Sequence, residues 1–283
     1  MEVTRTLSAT LDATEAARAK DRTVGFVPTM GAFHKGHLSL IRRARADRDF
    51  VVVSIFVNPL QFGDTADLAA YPRDEERDLE LARGLGVDVF FAPPVEEMYP
   101  AGEPDATVNP GPVAERLEGA SRPGHFRGVA TALAKLFHAV GPSAAYFGEK
   151  DAQQLAVVRR VVGDLSFPIE VVVCPTVREA DGLAMSSRNA RLSPEQREAA
   201  GCLFLALSEA AELARSGERD AAHLVAAMAR EIGATPQARL DYAAVVDDDT
   251  FEELRTVDRP ARAVVAARFG DVRLIDNLLL PTP

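Results

Sequence analysis

Two histidines one helical turn apart, His34 and His37, stand with Gly31 and Gly36 behind a buried-looking strand in the stretch PTMGAFHKGH, Pro28 to His37. Imidazoles can hydrogen-bond phosphate oxygens, and either can be protonated near neutral pH. Behind Gly36 the apolar spacing becomes helical, with Leu38, Leu40, Ile41 and Ala44 on one face, so the pair sits at a helix N-terminus. Unpaired backbone N–H groups and the positive end of the helix dipole attract anions there. Before the motif, Thr23 to Val27 is short and apolar enough for a central strand, and Pro28 and Gly31 are expected to stop it. Strand, glycine turn and helix together predict a nucleotide-phosphate site at the mouth of a parallel sheet. The simpler reading is a capped turn with two solvated histidines.

The elements that must position these residues alternate through roughly residue 176. Phe50 to Val57 is a nearly continuous apolar run, as expected of a strand covered on both faces. A helix is predicted over Asp74 to Leu85, a strand over Val87 to Phe91, and a helix over Arg127 to Val140 with Val129, Leu133, Leu136, Phe137 and Val140 on one stripe. A strand at Ala144 to Phe147, a helix from about Asp151 and a strand at Ile169 to Cys174 complete the series. This pattern predicts an α/β fold, a doubly wound parallel (Rossmann-like) sheet with ligands at the C-terminal ends of its strands. Beyond it, Ser193-Pro194-Glu195-Gln196 is a capping box. A helix at Ala221 to Ile232 and strands at Asp241 to Val246, Ala263 to Phe269 and Val272 to Ile275 then suggest a smaller C-terminal α+β domain. The expected domains are 1–176 and 177–283.

Composition narrows the classes. A net charge of −10 over 283 residues disfavours nucleic-acid or anionic-membrane partners held by a broad basic surface. Cys174 and Cys202 are the only cysteines, too few for a disulfide framework and consistent with a reducing cytoplasm. No signal peptide is visible and no apolar run approaches the roughly 20 residues of a membrane helix.

Four strings in fixed order, PTMGAFHKGH, VNPLQFG (Val57 to Gly63), FGEKDAQQL (Phe147 to Leu155) and MSSRN (Met185 to Asn189), resemble the pantoate–β-alanine ligase family, within the HIGH-motif nucleotidyltransferase group. YPRDEERDL from Tyr71, RPGHFRGVAT from Arg122 and RLIDN at Arg273 to Asn277 extend the resemblance through nearly the whole chain. The resemblance implies ATP-dependent joining of pantoate to β-alanine through a pantoyl-adenylate, with release of pyrophosphate and AMP. It makes residues 1–176 the nucleotide- and pantoate-binding domain and 177–283 a lid domain, in a cytoplasmic homodimer.

Residue by residue, the resemblance implies an ATP site lined by Met30, Gly31, Ala32, Phe33, His34, Lys35, Gly36 and His37, with His37 the proton donor. Gly148, Glu149, Lys150 and Asp151 follow the fourth predicted strand and should meet the nucleotide too. The glycine permits close backbone approach, Lys150 offers positive charge, and Asp151 can cap the next helix. Catalysis would then rest on His37, His34 and Lys150. Met185, Ser186, Ser187 and Arg188 resemble a KMSKS-type flap, where two hydroxyls and a guanidinium suit a triphosphate. Val177 matches a position whose backbone contacts the nucleotide. Gln61 and Gln154 match pantoate ligands, Gln61 also bordering the β-alanine site, and Asn58 is a further pantoate candidate. ATP chemistry implies Mg²⁺. The family's run of acidic residues after Tyr71 is interrupted here by Arg77, which leaves Asp78 as the metal candidate.

Three alternatives stand beside this reading. A transition-metal hydrolase built on His34, His37, His125 and His138 lacks an HExxH pattern or a cysteine pair. A nucleotidyltransferase acting on another acid conflicts with FGEKDAQQL and VNPLQFG. A non-catalytic nucleotide-binding module would be expected to lose His37, Lys150 or Ser186, and all three are present.

Overall fold

The computed structural model describes residues 1–63 and 65–281, so the last two residues of the expected second domain lie outside the described residues. Two compact units emerge: Met1–Glu149 with Gln153–Pro175, and Lys150–Ala152 with Thr176–Pro283.

In the first unit, β1 (Glu2–Thr4), β2 (Val24–Thr29), β3 (Phe50–Ile55), β4 (Val89–Phe91), β5 (Ser143–Gly148) and β6 (Ile169–Cys174) form one sheet in the order β1-β4-β3-β2-β5-β6. Every neighbouring pair is parallel. Its helices are α1 (Leu7–Arg18), α2 (Lys35–Asp47), α3 (Thr65–Ala70), α4 (Glu75–Gly84), α5 (Val95–Met98), α6 (Glu118–Ser121), α7 (His125–Val140) and α8 (Ala152–Asp164).

The continuous apolar runs are explained by burial on both faces. Phe26, Val52, Phe91 and Phe147 pack with Leu133 and Phe137 of α7. Their neighbours Val27, Val51, Val53, Phe90 and Tyr146 pack on the other side with Leu40 and Ile41 of α2 and Ala82 of α4. Phe26 is fully buried, and burying such a side chain is worth about 1.5–3 kcal/mol.

The strand expected to stop at Pro28 runs on to Thr29. Proline is tolerated there because the ladder to β5 is confined to Gly25↔Ala144 and Phe26↔Ala145, whereas pairing with β3 continues to Thr29↔Ile55. A residue without an N–H costs nothing on a side where the ladder has ended. From β2 the chain proceeds to β3 on one side, and from β5 to β6 on the other. The C-terminal ends of β2 and β5 therefore flank the topological switch point, where open parallel sheets bind ligands.

In the second unit, β7 (Ala238–Asp247), β8 (Ala261–Phe269) and β9 (Val272–Leu279) form an antiparallel sheet in the order β7-β8-β9. Also present are α9 (Pro194–Ala199), α10 (Cys202–Arg215) and α11 (Ala221–Gly233). Leu203 and Leu207 of α10, Leu224 and Met228 of α11, and Val265, Phe269 and Leu274 of the sheet share one core. The Ser193 capping box forms, with Gln196 N donating to Ser193 Oγ at 3.3 Å and Ser193 N to Gln196 Oε1 at 3.0 Å.

Candidate active site

Between β2 and α2 the backbone turns through two successive left-handed residues, Gly31 (φ +83°) and Ala32 (φ +52°). This curl aims the amides of Ala32 and Phe33 at one point, an anion-binding concavity. The anion it holds is the carboxylate of Asp78, from α4: Ala32 N donates to Oδ2 and Phe33 N to Oδ1, both at 2.7 Å. Asp78 is 1% exposed. Burial pushes its pKa up, against the lowering pull of the Phe33 and Ala32 amides.

The amides of Ala32 and Phe33 are thus engaged by an internal carboxylate, and Asp78, the expected metal candidate, holds the turn of the motif with both of its oxygens. Among the described residues no group of three or more His, Cys, Asp and Glu can hold a metal ion.

The start of α2 is capped by the histidines themselves. Gly36 N donates to His34 Nδ1 at 3.1 Å, and His34 N approaches His37 Nδ1 at 3.4 Å, a reciprocal capping box. With both Nδ1 atoms accepting, each neutral ring carries its proton on Nε2. Ring centroids lie 4.1 Å apart. Gly36 permits this geometry, because a Cβ there would stand 2.8 Å from His34 Cε1. The helix start is thus capped by imidazole nitrogens, with Gly36 N held by His34.

Gln61 and Asn58 are brought to Met30 in the same unit. Gln61 Nε2 lies 2.8 Å from Met30 Sδ, and its Oε1 accepts from Asn58 Nδ2 at 3.2 Å. The other Asn58 bonds run to Gly128 O (3.0 Å), from Leu60 N (3.2 Å) and from the Tyr99 hydroxyl (2.8 Å). Asn58, 1% exposed, thus has its side-chain amide engaged internally and holds the side chain of Gln61. His125 Nδ1 lies 2.9 Å from the Gln61 carbonyl, and Arg122 lies 3.2 Å from the other His125 nitrogen. These two residues of RPGHFRG fix the Gln61 backbone, a role that motif spacing did not reveal. His138 instead packs against Phe167, with centroids 5.1 Å apart.

Adjacent glutamines on α8 divide their work. Gln153 is buried and clamps Val113 O (2.9 Å), Arg116 O (2.7 Å) and Glu118 N (3.1 Å). Gln154 is half-buried and its side-chain amide has no hydrogen-bond partner among the described residues. Gly148 ends β5 at the switch point and Glu149 follows it.

Lys150 and Asp151 belong to the second unit, where the Lys150 ammonium lies 3.2 Å from Asp151 Oδ1. Val177, Met185, Ser186, Ser187 and Arg188 are in this unit too. Met185 N donates to Val177 O at 2.9 Å, closing a hairpin. Ser186 Oγ accepts from Arg188 N at 3.2 Å and starts a 3₁₀ turn over Ser187–Arg191. The Arg188 guanidinium has no protein partner among the described residues. Asn189 holds the turn through Glu179 (3.1 Å) and the Ala184 carbonyl (3.1 Å).

A parallel sheet whose strand order reverses beside an HxGH helix start defines a nucleotide-using α/β enzyme of the HIGH-motif kind. The family model described as pantoate-beta-alanine ligase matches residues 2–279. The pantothenate synthetase of Moorella thermoacetica is 53% identical over 280 residues, covering 99% of each chain. The crystal structure of pantothenate synthetase from Thermus thermophilus superposes with a TM-score of 0.91 at 51% identity, covering 99% of this chain and 100% of that one. That of the pantoate-beta-alanine ligase from Francisella tularensis, complexed with beta-gamma ATP and beta-alanine, gives 0.79 at 35% identity and covers 99% and 97%. The chain belongs to the pantoate–β-alanine ligase family.

Proposed function

We propose that this ATP-dependent ligase joins pantoate to β-alanine in two steps. A pantoate carboxylate oxygen attacks the α-phosphorus of ATP, the bond to the β-phosphate oxygen breaks, and pyrophosphate leaves. The β-alanine nitrogen then attacks the acyl carbon of the pantoyl-adenylate, the bond to the AMP oxygen breaks, and a proton leaves the nitrogen as the amide forms. Bringing two anions together requires charge neutralisation and alignment.

The observation that carries this reading is the locked imidazole pair at the switch point. In this reading the two imidazoles interact with phosphate oxygens, with His37 as proton donor and His34 beside it. Met30 to His37, Gly148 to Asp151, Val177 and Met185 to Arg188 form the ATP contacts, and Lys150 adds positive charge. Gln61 and Gln154 take pantoate, and Gln61 borders β-alanine. Residues 1–176 serve nucleotide and pantoate, and 177–283 act as the lid domain. ATP enters as its Mg²⁺ complex, the ion held chiefly by phosphates and water, as magnesium commonly is in such sites. The working form is a cytoplasmic homodimer.

Pyrophosphate/ATP exchange without amine tests the proposal. Exchange should require pantoate, and His37→Ala should lower it by about 10²–10³, the scale for losing one preorganised donor. Exchange driven only by another acid, or none in folded protein, overturns it.

A further inference from the structure

Near the end of β9, Asp276 and Asn277 are 2% and 5% exposed. Buried polar groups of this kind persist only when hydrogen-bonded, and their partners are specific. Asn277 Nδ2 donates to the backbone carbonyl of Lys150 at 2.8 Å. Its Oδ1 accepts from Arg262 at 2.5 Å, and Arg262 is itself held by Asp248 at 2.6 Å. Asp276 receives both arms of the Arg178 guanidinium, at 2.6 and 3.0 Å, and the amide of Asn277 at 2.8 Å.

Arg178 carries the constraint onward. It donates to Gly182 O at 2.9 Å and Asn277 O at 3.3 Å, and its Cζ stands 4.5 Å from the Phe204 ring centroid. It therefore closes the hairpin that joins Val177 to Met185. Gly182 (φ +91°) is required at the bend, because a Cβ there would stand 2.0 Å from the Phe204 ring.

We propose that Asp276 and Asn277 are the positioning centre for adenylation. Asn277 sets the backbone from which the Lys150 side chain extends, and Asp276, through Arg178, sets the hairpin from Val177 to the flap. Neither touches substrate. The inference rests on the assignment of Lys150 and the flap to ATP made above. A lysine stem has four rotatable carbons and high rotamer entropy, so its ammonium can be aimed only if its backbone is held. A misplacement of about 1 Å in a reacting group can cost about 10² in rate.

Asn277→Asp separates positioning from folding. It preserves size and the Arg262 contact, but presents an acceptor to the Lys150 carbonyl where a donor stood. Pantoate-dependent pyrophosphate exchange in the folded variant should fall by about tenfold or more, while the acceptor left facing a carbonyl lowers the thermal midpoint without unfolding the protein at the assay temperature. In a Lys150→Ala background the same substitution should add less than about twofold, since residues acting through one group are not additive. Exchange within about twofold of the parent, or an equal loss in both backgrounds, overturns the inference. Should Lys150→Ala itself leave exchange intact, the assignment of Lys150 fails first and the inference falls with it. Asn277→Ala, which removes the amide donor without adding charge, is read the same way if the aspartate variant does not fold.

Discussion

Each unit ties its motif down with a buried aspartate, and the two are held in different ways. Asp78 accepts two backbone amides of the 31–33 turn, whereas Asp276 accepts a bidentate guanidinium and one amide. At Asp78 the fixed dipoles of a curled backbone compensate the charge and burial still raises the pKa. At Asp276 a full positive charge does so. A backbone concavity can thus fix a loop at the cost of pH sensitivity, while an ion pair fixes a hairpin at the cost of mutual dependence.

The largest predicted effect breaks the second anchor. Asp276→Ala leaves the Arg178 guanidinium, 17% exposed, without its counter-charge. Removing one member of a buried pair costs about 3–5 kcal/mol, measurable as a lower urea midpoint. A loss below about 1 kcal/mol would place the two anchors in one class.

Asp78→Asn should cost less, about 1–3 kcal/mol, because one amide loses its acceptor while the cost of a buried charge disappears. The pH profile sharpens the difference. With its folded pKa raised, Asp78 binds its proton more tightly in the native state. The stability this gives is fully present below the unfolded value of 3.8 and is lost as pH rises through the folded value. The parent should therefore show a falling limb above pH 3.8 that the asparagine variant lacks. Parallel profiles would remove the pH cost from the comparison.

The smallest effect belongs to an exposed ion pair on the second unit's hairpin. Arg197 donates to Asp181 at 2.6 and 3.0 Å and to Glu179 at 2.7 Å, and its hydrogen bond holds Asp181 below the usual carboxylate range. With Asp181 43% exposed, screening limits this contribution to about 1 kcal/mol. It is present above pH 3.8 and lost as pH falls through the lowered value. Asp181→Asn should therefore flatten the acid limb of stability slightly, and an effect matching that of Asp276→Ala would show that burial is not what separates the anchors.

Much of this was legible in the chain. Leu38, Leu40, Ile41 and Ala44 announce α2, the apolar run from Phe50 announces β3, and Ser193 with Gln196 announces α9, because each signal is local. Less legible was the N-terminal β1, three residues at the sheet's edge, where a strand this short carries little periodicity. Site residues split along the same line. His34 and His37 cap each other across three residues, whereas Asp78 and Asn58 reach backbone partners 45 to 70 positions away.

The sequence by itself determined the alternating α/β series, the helix that begins at the histidines, and, through four ordered strings, the family. These depend on spacing within a few residues. Only the tertiary structure decided that the turn amides belong to Asp78, that Asn58 serves Gln61, and that Lys150 is held by Asn277, 127 residues later. A buried donor or acceptor takes whatever partner folding brings within about 3 Å, and that choice has no local signature.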